Sequence, residues 1–307
     1  MSESLVKQTK LKKVLRFTGL LLSILCCAYV GREIYLKREV FQNDFGPDLF
    51  LAFAVSCIFW VMVNVSLGVG WRWIIIILGE KISTRTSIMV SFRTQAAKYL
   101  PGNIFHHLGR TVLAHKHGVT LSSAGISIVL ESLILVLMAS LLGISFLSQQ
   151  VYFEASLLVL SGLILVVIIV LIKTNLLRRL YIFRNIQYNN PIAWTIIGIS
   201  YSGVFFFQSC MFISFSTVVA DNPQLGFFEV LEMVSIAWAA GFVVLGAPGG
   251  MGVREAVYST FAQSEELGWQ LLYIATLMRV STIVGDLICF IFSGVFFTTT
   301  QVTIEDE

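Results

Sequence analysis

Two short stretches of this sequence hold the residue types that could do chemistry. The first to stand out is Gly246-Ala-Pro248-Gly249-Gly250-Met251-Gly252-Val-Arg254-Glu255, which interrupts an apolar region. Irregular backbone exposed to lipid costs several kcal/mol per unsatisfied group, so such a break persists only against protein or a wet cavity. Its glycines let backbone N–H groups approach a ligand. A helix is expected to start near Val253, with its positive end facing the break. Arg254 adds a permanent cation there, and Glu255 falls in the favourable first turn. That is the composition of an anion site, such as one for a lipid phosphate. The plainer alternative is a Gly-Pro turn between helices. The glycines are not a dinucleotide fingerprint, because no strand-helix-strand pattern surrounds them.

The second stretch is Tyr99-Leu-Pro101-Gly102-Asn103-Ile-Phe105-His106-His107-Leu-Gly109-Arg110. Arg110 again follows a glycine. Asn103, His106 and His107 offer hydrogen bonds to a phosphate, and an imidazole in an ordinary setting titrates near neutral pH. The alternative is a basic loop drawn to anionic headgroups at the membrane surface. His115-Lys116-His117 reads as a solvated loop, and no metal site is expected.

Each stretch is followed by a polar linker and a long apolar segment with a charge inside it. Glu131 lies 30 residues after Pro101, and Arg279 lies 31 residues after Pro248. Charges at membrane depth are costly and usually face a partner or a cavity. Because the spacing makes them equivalent and their signs are opposite, Glu131 and Arg279 are expected to pair across a pseudo-symmetry axis. Asp286, seven residues after Arg279 on the same helix face, is the competing partner. Asn64 is a lesser polar intrusion, read as helix-helix glue. Broken segments at matching positions of two repeats are a common plan for the substrate site of secondary transporters.

The elements that must position these residues are membrane helices. The 307 residues are 56% hydrophobic and 13% charged, with a mean hydropathy of +0.83. A soluble domain carries about 25% charged residues, so a cytosolic enzyme, a disordered chain and a nucleic-acid binder are excluded. Full spans are expected at 14–30, 49–71, 121–147, 155–172, 192–218, 227–245 and 267–297, the last long enough to be tilted or broken. The stretch 88–100 contains Arg93 and Lys98 and stops at Pro101-Gly102, which suits a partial segment. That makes about seven full helices plus two partial, re-entrant or broken segments in a single all-α integral membrane domain, 1–307. Repeat halves at about 49–147 and 192–298 are joined by the helix at 155–172. Basic residues before the first span and in the loop 173–184 put the N-terminus and that loop in the cytoplasm. The charge ladder alone makes the repeats parallel; if one partial segment crosses, they are inverted. Cys26, Cys27, Cys57, Cys210 and Cys289 all lie in apolar runs without CxxC spacing, so neither a disulfide framework nor a metal site is expected.

The motifs resemble the lysylphosphatidylglycerol synthase transmembrane-region family of flippase-like integral membrane proteins. Pro248–Ala256, PGGMGVREA, is close to that family's P-G-G-x-G-x-R-E pattern, and Lys98-Tyr-Leu-Pro-Gly through Arg110 keeps its Pro-Gly and Arg. Glu131 and Arg279 match charged positions of the family's long helices, with Ser132 where an Arg usually follows the Glu. Phe105, His106 and His107 replace a Gly-rich, acidic run, which suggests a more anionic headgroup. The likeness extends over about residues 15–298. It implies a stand-alone member without the soluble synthase domain, for which the residues after Thr298 leave no room.

These readings converge on translocation or binding of an anionic lipid, or of a polyprenyl-phosphate-linked glycan, in envelope biogenesis. The headgroup ligands are Gly249, Gly250, Gly252, Arg254, Glu255, Arg110, His106, His107 and Asn103. The expected partners are membrane lipids or lipid-linked glycans and envelope-biosynthesis proteins, with no cofactor, metal or nucleic acid. A non-transporting subunit of an envelope-glycan assembly complex is the alternative. A lipid-acting transferase ranks third, because no Ser/His/Asp order, HExxH, Walker loop or acidic metal cluster is present.

Overall fold

The structure, a computed structural model, describes residues 46–99, 105–143, 190–219, 225–243, 250, 252–262 and 264–301. The expected spans 14–30 and 155–172, the loop 173–184, and Pro101, Gly102, Asn103, Pro248 and Gly249 lie outside the described residues. What is described is helical throughout. The helices are α1 (Pro47–Ile77), α2 (Thr84–Gln95), α3 (Phe105–Lys116), α4 (Leu121–Leu142), α5 (Pro191–Val219), α6 (Phe227–Val243), α7 (Val253–Thr260) and α8 (Glu265–Gln301). A 3-10 turn, Ala96–Tyr99, continues α2.

The protein is an all-α polytopic membrane protein. Four described helices are long and apolar enough to cross: Pro47–Ile77, Leu121–Leu142, Pro191–Val219 and Glu266–Val295. The last expected span is one continuous helix rather than a broken one. Of the span expected at 227–245, the described part, Phe227–Val243, is a 17-residue helix about 25 Å long. The partial segment expected at 88–100 is the 12-residue α2 with its 3-10 extension.

Local chemistry explains the helix ends. Pro47 opens α1, where a missing N–H costs nothing. Ser83 caps α2 by accepting from the Thr86 amide at 3.0 Å, and Thr120 caps α4 by accepting from Ser123. The Thr120 hydroxyl also donates to Glu80 at 2.6 Å, tying the start of α4 to the end of α1.

α1 and α5 share the most extensive interface. The aromatic side chains Tyr201, Phe205, Phe212 and Phe215 of α5 are fully buried in the main core, and Trp71 of α1 is buried in a second cluster with Val90 of α2, Ala114 of α3 and Ala124 of α4. The exposed large hydrophobics, among them Ile199, Val280, Leu287 and Val295, form the outer apolar surface. The other main contacts run α1–α2, α2–α3, α3–α4, α1–α4, α1–α8 and α2–α8. Their counterparts are α5–α6, α6–α7, α7–α8, α5–α8, α4–α5 and α4–α6. Exchanging α1 with α5, α2 with α6, α3 with α7 and α4 with α8 thus leaves the main packing pattern unchanged.

Candidate functional site

The sequence-predicted charges lie in three buried groups, and the grouping differs from the expected one. Glu131 does not pair with Arg279. Arg110 on α3 donates through Nη1 to Oε2 of Glu131 on α4, and the two side chains are 3% and 5% exposed. Arg110 Nη2 also donates to Ser91 Oγ on α2 at 3.1 Å. The Tyr201 hydroxyl donates to the other oxygen of Glu131 at 3.3 Å. Below the guanidinium lies the Trp71 ring, 5.3 Å from its centroid, held by an indole N–H bond to Ser127 Oγ at 2.8 Å.

Arg279 finds its carboxylate in the second motif instead. Its Nε donates to Glu255 Oε1 at 2.9 Å. The other oxygen of Glu255 accepts the Gly252 amide at 2.7 Å, so one carboxylate both caps α7 and holds α8. The helix starts at Val253 with Gly252 as its N-cap at φ 82, a conformation that glycine adopts without strain. The motif packs tightly on α6: a Cβ on Gly241 would sit 2.8 Å from Arg254 Cγ and 3.2 Å from Gly250 Cα. Arg254 lies over the Trp238 ring, 5.9 Å from its centroid.

Asp286 does not pair with Arg279 either. Its Oδ2 meets Lys98 Nζ at 2.6 Å. Its Oδ1 accepts the Trp60 indole N–H at 2.7 Å and the Asn64 amide at 3.4 Å. Lys98 lies 4.7 Å from the Trp60 ring centroid. A Cβ on Gly285 would meet Trp60 Cδ1 at 2.5 Å, so only glycine lets the indole reach the neighbouring Asp286. Asn64, expected as glue, is a member of this group.

The two pairing errors have different causes. Equal spacing makes Glu131 and Arg279 equivalent without bringing the two long helices' charges together, because each motif's short helix turns its own charge onto the long helix that follows. Arg279 and Asp286 share a face but lie two turns, about 10 Å, apart. Arg110 and Glu131 belong to the first half, Glu255 and Arg279 to the second, with the signs reversed. Lys98 and Trp60 were not among the predicted site residues. A lysine three residues before the first Pro-Gly, and a tryptophan one turn before Asn64, were the available signals.

His106 and His107 lie against each other at the start of α3, their ring centroids 3.7 Å apart and their planes tilted by 39°. Burial, with help from each other and from Arg110, pushes His106 down to about 2. Burial and then Arg110 push His107 down to about 4. Both imidazoles are therefore neutral at physiological pH, rather than titrating near it. Nδ1 of each ring and Arg110 Nε have no hydrogen-bond partner among the described residues. Gly250, at φ 70, is buried against α6, and nothing described places its amide toward a ligand.

The arrangement sets cations on indole faces around the two interrupted segments: Lys98 on Trp60, Arg110 on Trp71 and Arg254 on Trp238. Each pair supplies an attraction of about 0.5–2 kcal/mol while leaving the donors at the cation's edge able to point elsewhere. Arg254 and Arg279 also lie within electrostatic range of Lys98, so cations from both motifs share one neighbourhood. Residues 19–288 match the lysylphosphatidylglycerol synthase TM region family, and the chain belongs to it. No curated protein matches the chain.

Proposed function

From membership of the lysylphosphatidylglycerol synthase TM region family, we propose that this membrane protein binds or translocates an anionic lipid, or a polyprenyl-phosphate-linked glycan, in envelope biogenesis. The role is translocation or binding rather than group transfer. Its setting is the cytoplasmic membrane, with the N-terminus on the cytoplasmic side, and its partners are the lipid itself and envelope-biosynthesis proteins. The observation that carries the reading is the gathering of Lys98, Arg110, Arg254 and Arg279 beside the two motif segments, with three carboxylates set among them. Burying so many ionised groups is expensive even when they are paired. A chain that needed only to fold would do as well with apolar contacts there.

The exchange-invariant packing supports two repeat halves, about 49–147 and 192–298, within a single membrane domain. In this reading the cations of both halves face one substrate path. Within the second motif, Arg254 is the cation for the headgroup, Glu255 fixes the turn by accepting the Gly252 amide and the Arg279 guanidinium, and Gly249 and Gly250 complete it. In the first, Arg110, His106, His107 and Asn103 serve the same headgroup, the neutral imidazoles as hydrogen-bond partners rather than cations.

The test is Arg254→Ala, assayed in vivo for loss of the phenotype that the intact gene supports, alongside membrane fractionation. Charge-assisted hydrogen bonds to a phosphate are about twice as strong as neutral ones, so loss of function with normal membrane insertion is expected. Wild-type function in the variant would reduce the motif to a structural turn.

A further inference from the structure

The three ion pairs are not equally able to release their cation. Arg110 and Glu131 are almost completely enclosed, at 3% and 5% exposure. If Arg110 left, Glu131 would keep, among the described residues, the Tyr201 hydroxyl at 3.3 Å. Glu255 would keep, among the described residues, the Gly252 amide, but its bond to Arg279 helps tie α7 to α8. Asp286 differs. It is 1% exposed, yet it holds two further donors on its other oxygen, the Trp60 indole and the Asn64 amide. A buried carboxylate with two neutral donors in reserve can lose its cation without being stranded. Its partner is also the most mobile type: Lys98 is a point charge on a flexible four-carbon stem, and its side chain is 17% exposed.

Position adds to this. Lys98 belongs to the 3-10 turn Ala96–Tyr99, which packs against α8, so the Lys98–Asp286 pair spans the two halves of the chain. Arg254 and Arg279 lie within electrostatic range of the same ammonium. An arriving anion would relieve their mutual repulsion as well as bind Lys98.

We infer that Lys98 is a direct ligand of the phosphate group and that Asp286 occupies its ammonium until the phosphate displaces it. This rests on the anionic-headgroup reading above. Asp286 is then an internal competitor, held ready by Trp60, Asn64 and the small Gly285. Substrate entry exchanges a contact between halves for a contact with the ligand, which frees the 3-10 turn from α8 when the site is filled.

The experiment uses the full chain in detergent, titrated with phosphatidylglycerol by native mass spectrometry, with phosphatidylcholine as the net-neutral control. Size-exclusion profiles check folding. Asp286→Asn keeps the shape and removes the competitor, so phosphatidylglycerol should bind about tenfold more tightly, the worth of one charge-assisted contact. The double variant Asp286→Asn/Lys98→Gln leaves no buried charge without its partner and stays testable if Lys98→Gln alone misfolds. It should lose that gain and fall to wild-type affinity or below. In a separate arm, inorganic phosphate that displaces the lipid from Asp286→Asn shows that the phosphate alone is recognised. Lipid binding that withstands inorganic phosphate assigns the site to the lipid headgroup. A preference for phosphatidylglycerol that ignores both substitutions would overturn the role of Lys98 and Asp286 and leave the broader reading standing. No preference over phosphatidylcholine in any of the proteins would overturn both.

Discussion

Removing one partner of the Arg110–Glu131 pair should cost far more than removing both. Glu131→Gln leaves the guanidinium of Arg110, 3% exposed, with Ser91 Oγ and the face of Trp71 as its remaining described neighbours. Stranding one member of a buried pair costs about 3–5 kcal/mol. Arg110→Gln strands Glu131 in the same way, with the Tyr201 hydroxyl its only other described donor. In Arg110→Gln/Glu131→Gln no charge is left, and two amides can still hydrogen-bond, so at least half of either single loss should return. The double variant should then lose at most about 1.5–2.5 kcal/mol where adding the two single losses gives about 6–10, a coupling of about 4.5 kcal/mol or more, larger than most groups in direct contact show. The assay is a double-mutant cycle on the purified protein, read from the midpoint of thermal unfolding by tryptophan fluorescence and from the yield of monodisperse protein. Glu131→Gln/Arg279→Gln serves as the contrasting cycle, because those residues belong to separate ion pairs. Additive losses for Arg110 with Glu131, or strong coupling between Glu131 and Arg279, would refute the pairing.

Gly285→Ala should destabilise by about 1–3 kcal/mol, the usual cost of overpacking, because the new methyl would meet Trp60 Cδ1 at 2.5 Å; Trp60→Phe added to it should recover part of the loss in the same unfolding assay, whereas a wild-type midpoint for Gly285→Ala would disprove the close approach. Acidification should weaken the fold through the histidine pair. Their folded values, about 2 for His106 and about 4 for His107, lie below the ordinary imidazole value, so the unfolded chain takes up the protons first. Stability is therefore fully present above about pH 6.5 and lost as pH falls toward 4, at up to about 2 kcal/mol per imidazole by pH 5. His106→Gln/His107→Gln should flatten that part of the pH profile, and an unchanged slope would exclude the histidines as its source.

The helical membrane class and four of the spans were legible because they follow from run length and hydrophobicity, which need no tertiary information. The start of α7 at Val253 was legible too, since glycine, a following acidic residue and the end of an apolar run coincide there. The ion pairs were the least legible feature. Spacing along the chain reports which residues are equivalent in a repeat, but equivalence does not mean contact. A charge on a short helix meets whatever the turn after that helix brings back, and the turns after Lys116 and Thr260 bring back the next long helix of the same half.

The two halves place opposite signs on equivalent helices, and this bears on how such a chain could hold its ligand. In the first half the cation is on the short helix and the carboxylate is on the long one; in the second the order is inverted. Lys98 and Asp286 then join the halves, with the cation at the end of α2 and the carboxylate on α8. α8 therefore carries one charge of each sign on the same face, Arg279 committed within its own half and Asp286 reaching into the other. A movement of α8 relative to α2 strains the Lys98–Asp286 ion pair and the Phe92–Phe292 ring contact, but not the Glu255–Arg279 pair, because Glu255 travels with Arg279 on the adjoining α7. The pair that joins the halves is also the one whose carboxylate has neutral donors in reserve, Trp60 and Asn64 of α1. Of the three ion pairs, the one that joins the halves is thus the one that is least costly to break.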